Sequence, residues 1–161
     1  MHEALDRLAT DLFRMFARFE YALKAAGFYQ RATPRDDAAK PDWTQFAQSV
    51  RDVLNHPADT ELQEAIEYIL GHPPQKQIIR DETLGWREAL PRTTPGDRAD
   101  LVLVLVRRVR NNLFHGGKFS TQWFDPIRSE MLLRHSLTIL RGCLEASPAV
   151  NSAYHNGEWH T

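Results

Sequence analysis

An all-α fold is what this sequence predicts, on two observations. Apolar residues recur at steps of three and four through most of the chain, the spacing of one helical face. The single run that alternates like a buried strand, Leu101 to Val106, has no convincing partner strand elsewhere, and a lone strand cannot satisfy its own backbone.

The elements follow in order. From Glu3 to Ala26 the residues Leu5, Leu8, Leu12, Phe16, Phe19 and Leu23 form one stripe, and Gly27 sits where a left-handed helix-ending residue belongs. Residues 29 to 41, with two prolines and mixed charge, read as a loop. Asp42 followed by Gln45 opens a second helix as a capping box, with Phe46, Val50 and Leu54 on one face and Asn55-His56-Pro57 breaking it. Thr60 with Gln63 opens a third, carrying Leu62, Ile66, Ile69 and Leu70, closed by Gly71 and barred by Pro73 and Pro74. Residues 72 to 96 read as a long polar connection anchored by Trp86, a length more often functional or mobile than inert.

A buried central helix is expected from Arg98 to His115, because Asp97 and Asp100 supply acids at its start. Asp125-Pro126 begins the last long helix, with Leu133, Leu137, Leu140 and Leu144 facing the core. The tail beyond Pro148 has Tyr154 and Trp159 to dock but no clear pattern. The expected architecture is one domain, an up-and-down bundle with shorter helices alongside, its core at 3–146 and a tail at 147–161.

Composition narrows the function classes. With 42% hydrophobic and 25% charged residues the chain has the balance of an ordinary soluble protein. No apolar run approaches the ~20 residues that cross a bilayer. The N-terminus lacks the basic-then-apolar layout of a signal peptide, and the lone Cys143 rules out an internal disulfide. A cytoplasmic protein is expected. A net charge of −1 provides no global field for nucleic acid. Yet Arg107, Arg108, Arg110 and Lys118 fall within twelve residues that contain no acid, so any nucleic acid is engaged locally.

That stretch, "RRVRNNLFHGGKF" at 107–119, has a plain explanation: cations in a last helical turn favour the helix dipole by ~0.3–1 kcal/mol each. Two features resist it. Asn111 and Asn112 are adjacent in a helix, where asparagine amides compete for backbone hydrogen bonds, so other partners are expected for them. Arginine and histidine together also suit phosphate chemistry, the guanidinium forking onto oxygens and the imidazole moving a proton near neutral pH.

Arg110-Asn111-Asn112-Leu113-Phe114-His115 resembles the R-x(4–6)-H signature of HEPN domains, small all-α bundles that carry this motif at the end of a late long helix. The resemblance implies a metal-independent endoribonuclease needing no cofactor, since the ribose 2′-hydroxyl is the nucleophile. Carried over, His115 is general acid or base, Arg110 stabilises the phosphorane, and Asn111 or Asn112 orients imidazole or phosphate. Arg107, Arg108 and Lys118 would hold substrate. Implied partners are RNA, a second copy meeting through the motif helix, and an antitoxin or regulatory protein; no membrane is implied. The tyrosine that many HEPN toxins carry two residues past the histidine is Gly117 here, which speaks against control by tyrosine modification. Five residues of regular helix turn through about 500°, so Arg110 and His115 point roughly 140° apart. They converge only across a dimer or through a distorted helix end. Arg108, seven residues from His115, is the rival for the arginine role. A non-catalytic module binding nucleotide, RNA or protein is the alternative reading.

Other features carry less. His2, His56, His72, His135, His155 and His160 show no zinc spacing, and no phosphate-binding glycine loop occurs. Cys143 reads as a small buried hydrophobe. Glu20 reads as an ordinary flank residue rather than a partner for a cleft arginine, and "HPPQKQ" at 72–77 as a proline-stiffened connection rather than a substrate loop.

Overall fold

A computed structural model describes residues 2–88, 90, 97–114, 118–119, 122–123 and 125–157, with backbone alone for 118–119 and 122–123. In chain order these hold α1 (His2–Ala25), α2 (Trp43–Ser49), α3 (Arg51–Asn55), α4 (Thr60–Gly71), β1 (Lys76–Arg80) and β2 (Thr83–Arg87). There follow α5 (Arg98–Phe114), β3 (Lys118–Phe119), β4 (Gln122–Trp123), α6 (Pro126–Ala146) and α7 (Pro148–Asn156). The protein is mostly helical, as the periodicity predicts. No described helix is long and apolar enough to cross a membrane.

The first helix ends as its sequence dictates. Gly27 has φ of +95°, the Gly27 N–H bonds the Lys24 carbonyl at 3.2 Å and the Phe28 N–H bonds that of Leu23 at 2.8 Å. This is a Schellman closure, and it delivers the Phe28 ring edge-on to Phe46, centroids 5.4 Å apart. Phe19 lies flat against Trp43 at 5.2 Å and edge-on to Phe46 at 5.4 Å, so aromatic packing joins α1 to α2. The α2 start matches the expected cap: the Asp42 carboxylate accepts from the Gln45 N–H.

Helix α6 packs on α1 and α4, while α5 is covered by α2, α3 and α4 and touches α1 and α6. Val102, Leu103, Leu105, Val106 and Val109 are buried, so the six-residue apolar run is helical. At the α4–α6 contact, a Cβ on Gly142 would lie 3.0 Å from both Leu62 methyls, so the helices approach there because residue 142 is glycine. Cys143, next along α6, is fully buried, and burial pushes its thiol up to about 12.

Five expectations need correction. The second helix does not run unbroken to Leu54: it divides at Val50, where the Ser49 hydroxyl donates to the Phe46 carbonyl at 2.7 Å and competes with the backbone ladder. Asp59, not Thr60, caps α4, its carboxylate accepting from the Glu61 N–H. The 72–96 connection is not without secondary structure; it contains the antiparallel β1–β2 pair, registered Lys76 to Arg87 through Arg80 to Thr83. A second pair, β3–β4, follows the motif, so partner strands do exist. Finally, the tail beyond Pro148 is helical: α7 packs on α1, with Arg18 4.5 Å over the Tyr154 ring and donating to the Tyr154 carbonyl at 2.7 Å. Tyr154 thus docks as expected, while Trp159 lies outside the described residues.

Asp97 caps α5, accepting from the Asp100 N–H at 3.1 Å. Asp100 itself is buried at 7% exposure. Burial and then the neighbouring Asp97 raise its pKa, against the pull of Arg107 and Thr44. A carboxyl whose folded pKa is raised stabilises the fold below its unfolded pKa, and that contribution is lost as pH climbs through the folded value. Asp100→Asn should therefore gain in Tm relative to wild type as pH rises from about 4 towards neutrality. A Tm difference that stays flat across this range would refute the assignment.

Candidate functional site

Helix α5 distributes its polar end over different surroundings because adjacent side chains step about 100° around the axis. Arg110 turns to α1. Its Nη2 donates to the Glu20 carboxylate at 3.1 Å, and the guanidinium carbon sits 5.0 Å over the Phe16 ring. The Arg110 side chain keeps 29% of its surface exposed, so solvent and a ligand still reach it, while its Nε is buried with no acceptor among the described residues. The expectation that Glu20 is only a flank residue is overturned: its carboxylate holds the motif arginine.

Arg107 lies 5.9 Å from the Trp43 ring, against α2. Burial lowers its pKa, opposed by the carboxylates of Asp100 and Glu20; a guanidinium remains charged regardless. Burial likewise lowers the pKa of Arg108. Asn111 is exposed.

Arg108 and Asn112 turn the opposite way from Arg110, towards the residues that precede β1. Arg108 Nη1 donates to the Pro74 carbonyl at 3.4 Å, and Asn112 Nδ2 donates to the Gln75 carbonyl at 2.7 Å. A third donor comes from α6, where Arg128 Nη2 reaches the Pro73 carbonyl at 2.7 Å. Prolines have no N–H to place in a ladder, and here three successive carbonyls are taken by side chains instead. One of the two asparagines therefore has the outside partner its position called for.

Between this segment, β2, α5 and the start of α6 lies a cleft of about 140 Å³. Trp86, the expected anchor, is half-buried in its wall. Beyond Leu113, which also lines this cleft, a second recess of about 130 Å³ holds Arg110 with Phe13 and Phe114, whose rings stack at 5.7 Å.

His115 lies outside the described residues, and of Lys118 only the backbone is described, in β3. The fold thus separates the candidate site residues: Arg110 with Glu20 on one side of α5, Arg108 and Asn112 on the other, Arg107 against Trp43. Glu20 joins Arg110 and Arg128 joins the Arg108–Asn112 side; the sequence reading weighed Glu20 and set it aside, and did not single out Arg128. For Arg128 a signal existed. A cation in the first turn of a helix opposes the helix dipole, so its presence there asks for another partner.

Of the other described histidines, two flank one tyrosine. His72 stacks on Tyr68 at 4.4 Å, and half-buried His135 tilts against the same ring at 4.7 Å. Among the described residues no three His, Cys, Asp or Glu side chains cluster to hold a metal ion.

Comparison with protein-family models, curated proteins and solved structures gives no match. The resemblance to HEPN domains accordingly stands on the six residues Arg110 to His115, the first five of which end the helix α5.

Proposed function

We propose that this protein is a HEPN-like, metal-independent endoribonuclease, cleaving RNA by attack of the ribose 2′-hydroxyl on the adjacent phosphorus. The observation that carries the reading is Arg110: the motif arginine is fixed by Glu20 and Phe16 yet still exposed in part. Such a group is preorganised to meet charge developing on a phosphorane, without reorientation during the reaction. In this reading His115 transfers the proton, and the products carry a 2′,3′-cyclic phosphate and a 5′-hydroxyl.

A second copy of the chain completes the site, bringing two Arg–His pairs to one cleft. Phe13 and Phe114, exposed at 49% and 62%, offer an apolar surface beside Arg110 where that copy would dock. An antitoxin or regulatory protein would restrain the activity in the cell.

The test is cleavage of mixed RNA in chelator by the purified protein beside its His115→Ala variant. Wild type cleaves and the variant does not. Equal cleavage by both, or none by wild type, overturns the proposal. A second reading, a non-catalytic module that binds RNA, nucleotide or protein, draws on the commitment of Arg108 and Asn112 to backbone carbonyls. It is distinguished by salt-dependent RNA binding without turnover, unaffected by loss of His115.

A further inference from the structure

The cleft between β2, α5 and α6 is not accounted for by proton transfer or phosphate contact. Its size excludes many occupants. At about 140 Å³ it is smaller than the roughly 300–1,000 Å³ of sites that enclose whole drug-sized molecules. One flat ring fits the space; a complete nucleotide does not.

Its lining is divided by chemistry. Val109, Leu132 and Leu133 are buried and give it an apolar floor, and the Trp86 indole forms a wall. The rim carries Asn112, Arg128 and Ser129. The bond to Gln75 uses one Asn112 N–H, so the carbonyl oxygen and second N–H of that amide are not used in it. Arg128 likewise gives Nη2 to Pro73 from a fork of five N–H donors. An apolar, aromatic slot edged by both donors and acceptors suits a heteroaromatic ring with polar edges better than an aliphatic side chain.

Position supplies the link to a strand. Leu113 is a wall common to this cleft and to the recess of Arg110. A ring held in the cleft would therefore be one side chain away from the motif arginine. We infer that the cleft is a base-reading subsite, taking a single unstacked nucleobase of an RNA strand bound along α5. The inference rests on the RNA reading above and adds to it the part of the substrate that is recognised.

The experiment titrates the His115→Ala protein with the four ribonucleoside 5′-monophosphates and with ribose 5-phosphate, followed by calorimetry and by the Trp86 indole N–H resonance. At least one nucleotide binds at millimolar strength or tighter and shifts that resonance, while ribose 5-phosphate does neither. Ser129→Phe, which fills the cleft, weakens binding roughly tenfold or more, the scale of a lost base–aromatic stack. Trp86→Leu does so as well, and carries the test if Ser129→Phe fails to fold. The inference is overturned if ribose 5-phosphate binds as tightly as the nucleotides, if none binds, or if a folded cleft variant binds like its parent.

Because the imidazole is absent throughout, the two proposals fail separately. Nucleotide binding by a protein whose wild type cleaves no RNA keeps the subsite and removes the nuclease. Cleavage by wild type without nucleotide binding does the reverse.

Discussion

Arg110→Ala is expected, on the proposed ribonuclease reading, to lower RNA turnover by about 10²–10³-fold, the usual cost of removing one preorganised donor from a developing oxyanion. The effect on stability separates this from simple damage. Glu20 and Arg110 are each less than a third exposed, so the alanine variant leaves a partly desolvated carboxylate behind and also lowers Tm. Arg110→Lys should restore most of the Tm, since an ammonium still answers Glu20. It should not restore turnover, because a point charge cannot fork across two phosphate oxygens. Turnover within a few-fold of wild type in Arg110→Ala would remove Arg110 from the chemistry and transfer the role to Arg108.

The largest effect on folding is expected at Phe19. Its side chain is fully buried and its ring contacts both Trp43 and Phe46. Phe19→Ala should cost about 3–5 kcal/mol, a large part of the ~5–15 kcal/mol that holds a typical domain. For a chain of this size that is a fall in Tm of roughly 6–20 °C. Phe13→Ala on the same helix is the control. Phe13 is half exposed and loses mainly its stack on Phe114, costing about 1 kcal/mol. Comparable losses from the two would mean that the aromatic packing between α1 and α2 does not hold these helices together.

Much of the helical framework was legible because its signals are local. A stripe at steps of three and four marks α1, and Gly27, Asp42 and Asp125-Pro126 mark helix ends whose bonds the structure contains. The hairpin at 76–87 was not legible, and its turn explains why. Asp81 and Glu82 both take positive φ, +50° and +59°, as a two-residue hairpin turn demands. Glycine or asparagine would have advertised that conformation; an Asp-Glu pair does not. The tail helix was missed for a different reason: only Val150 and Tyr154 of α7 are buried, too few to establish a period.

The candidate site divided along the same line. The motif could be placed at the end of α5 from neighbours in sequence, but its partners come from far along the chain. Glu20 is 90 residues from Arg110, and Gln75 is 37 from Asn112. Nothing in local spacing reports such pairs.

The triple anchoring of Pro73, Pro74 and Gln75 makes the stretch between Gly71 and Lys76 a spacer of fixed length. Each carbonyl is matched to a different donor, on two helices, so one added residue would put every later carbonyl out of step with its clasp. The Asp81–Glu82 bend bears no such constraint. Evolution can lengthen or trim the hairpin at its far end, and so vary what it reaches, while the chain leading into it keeps its count.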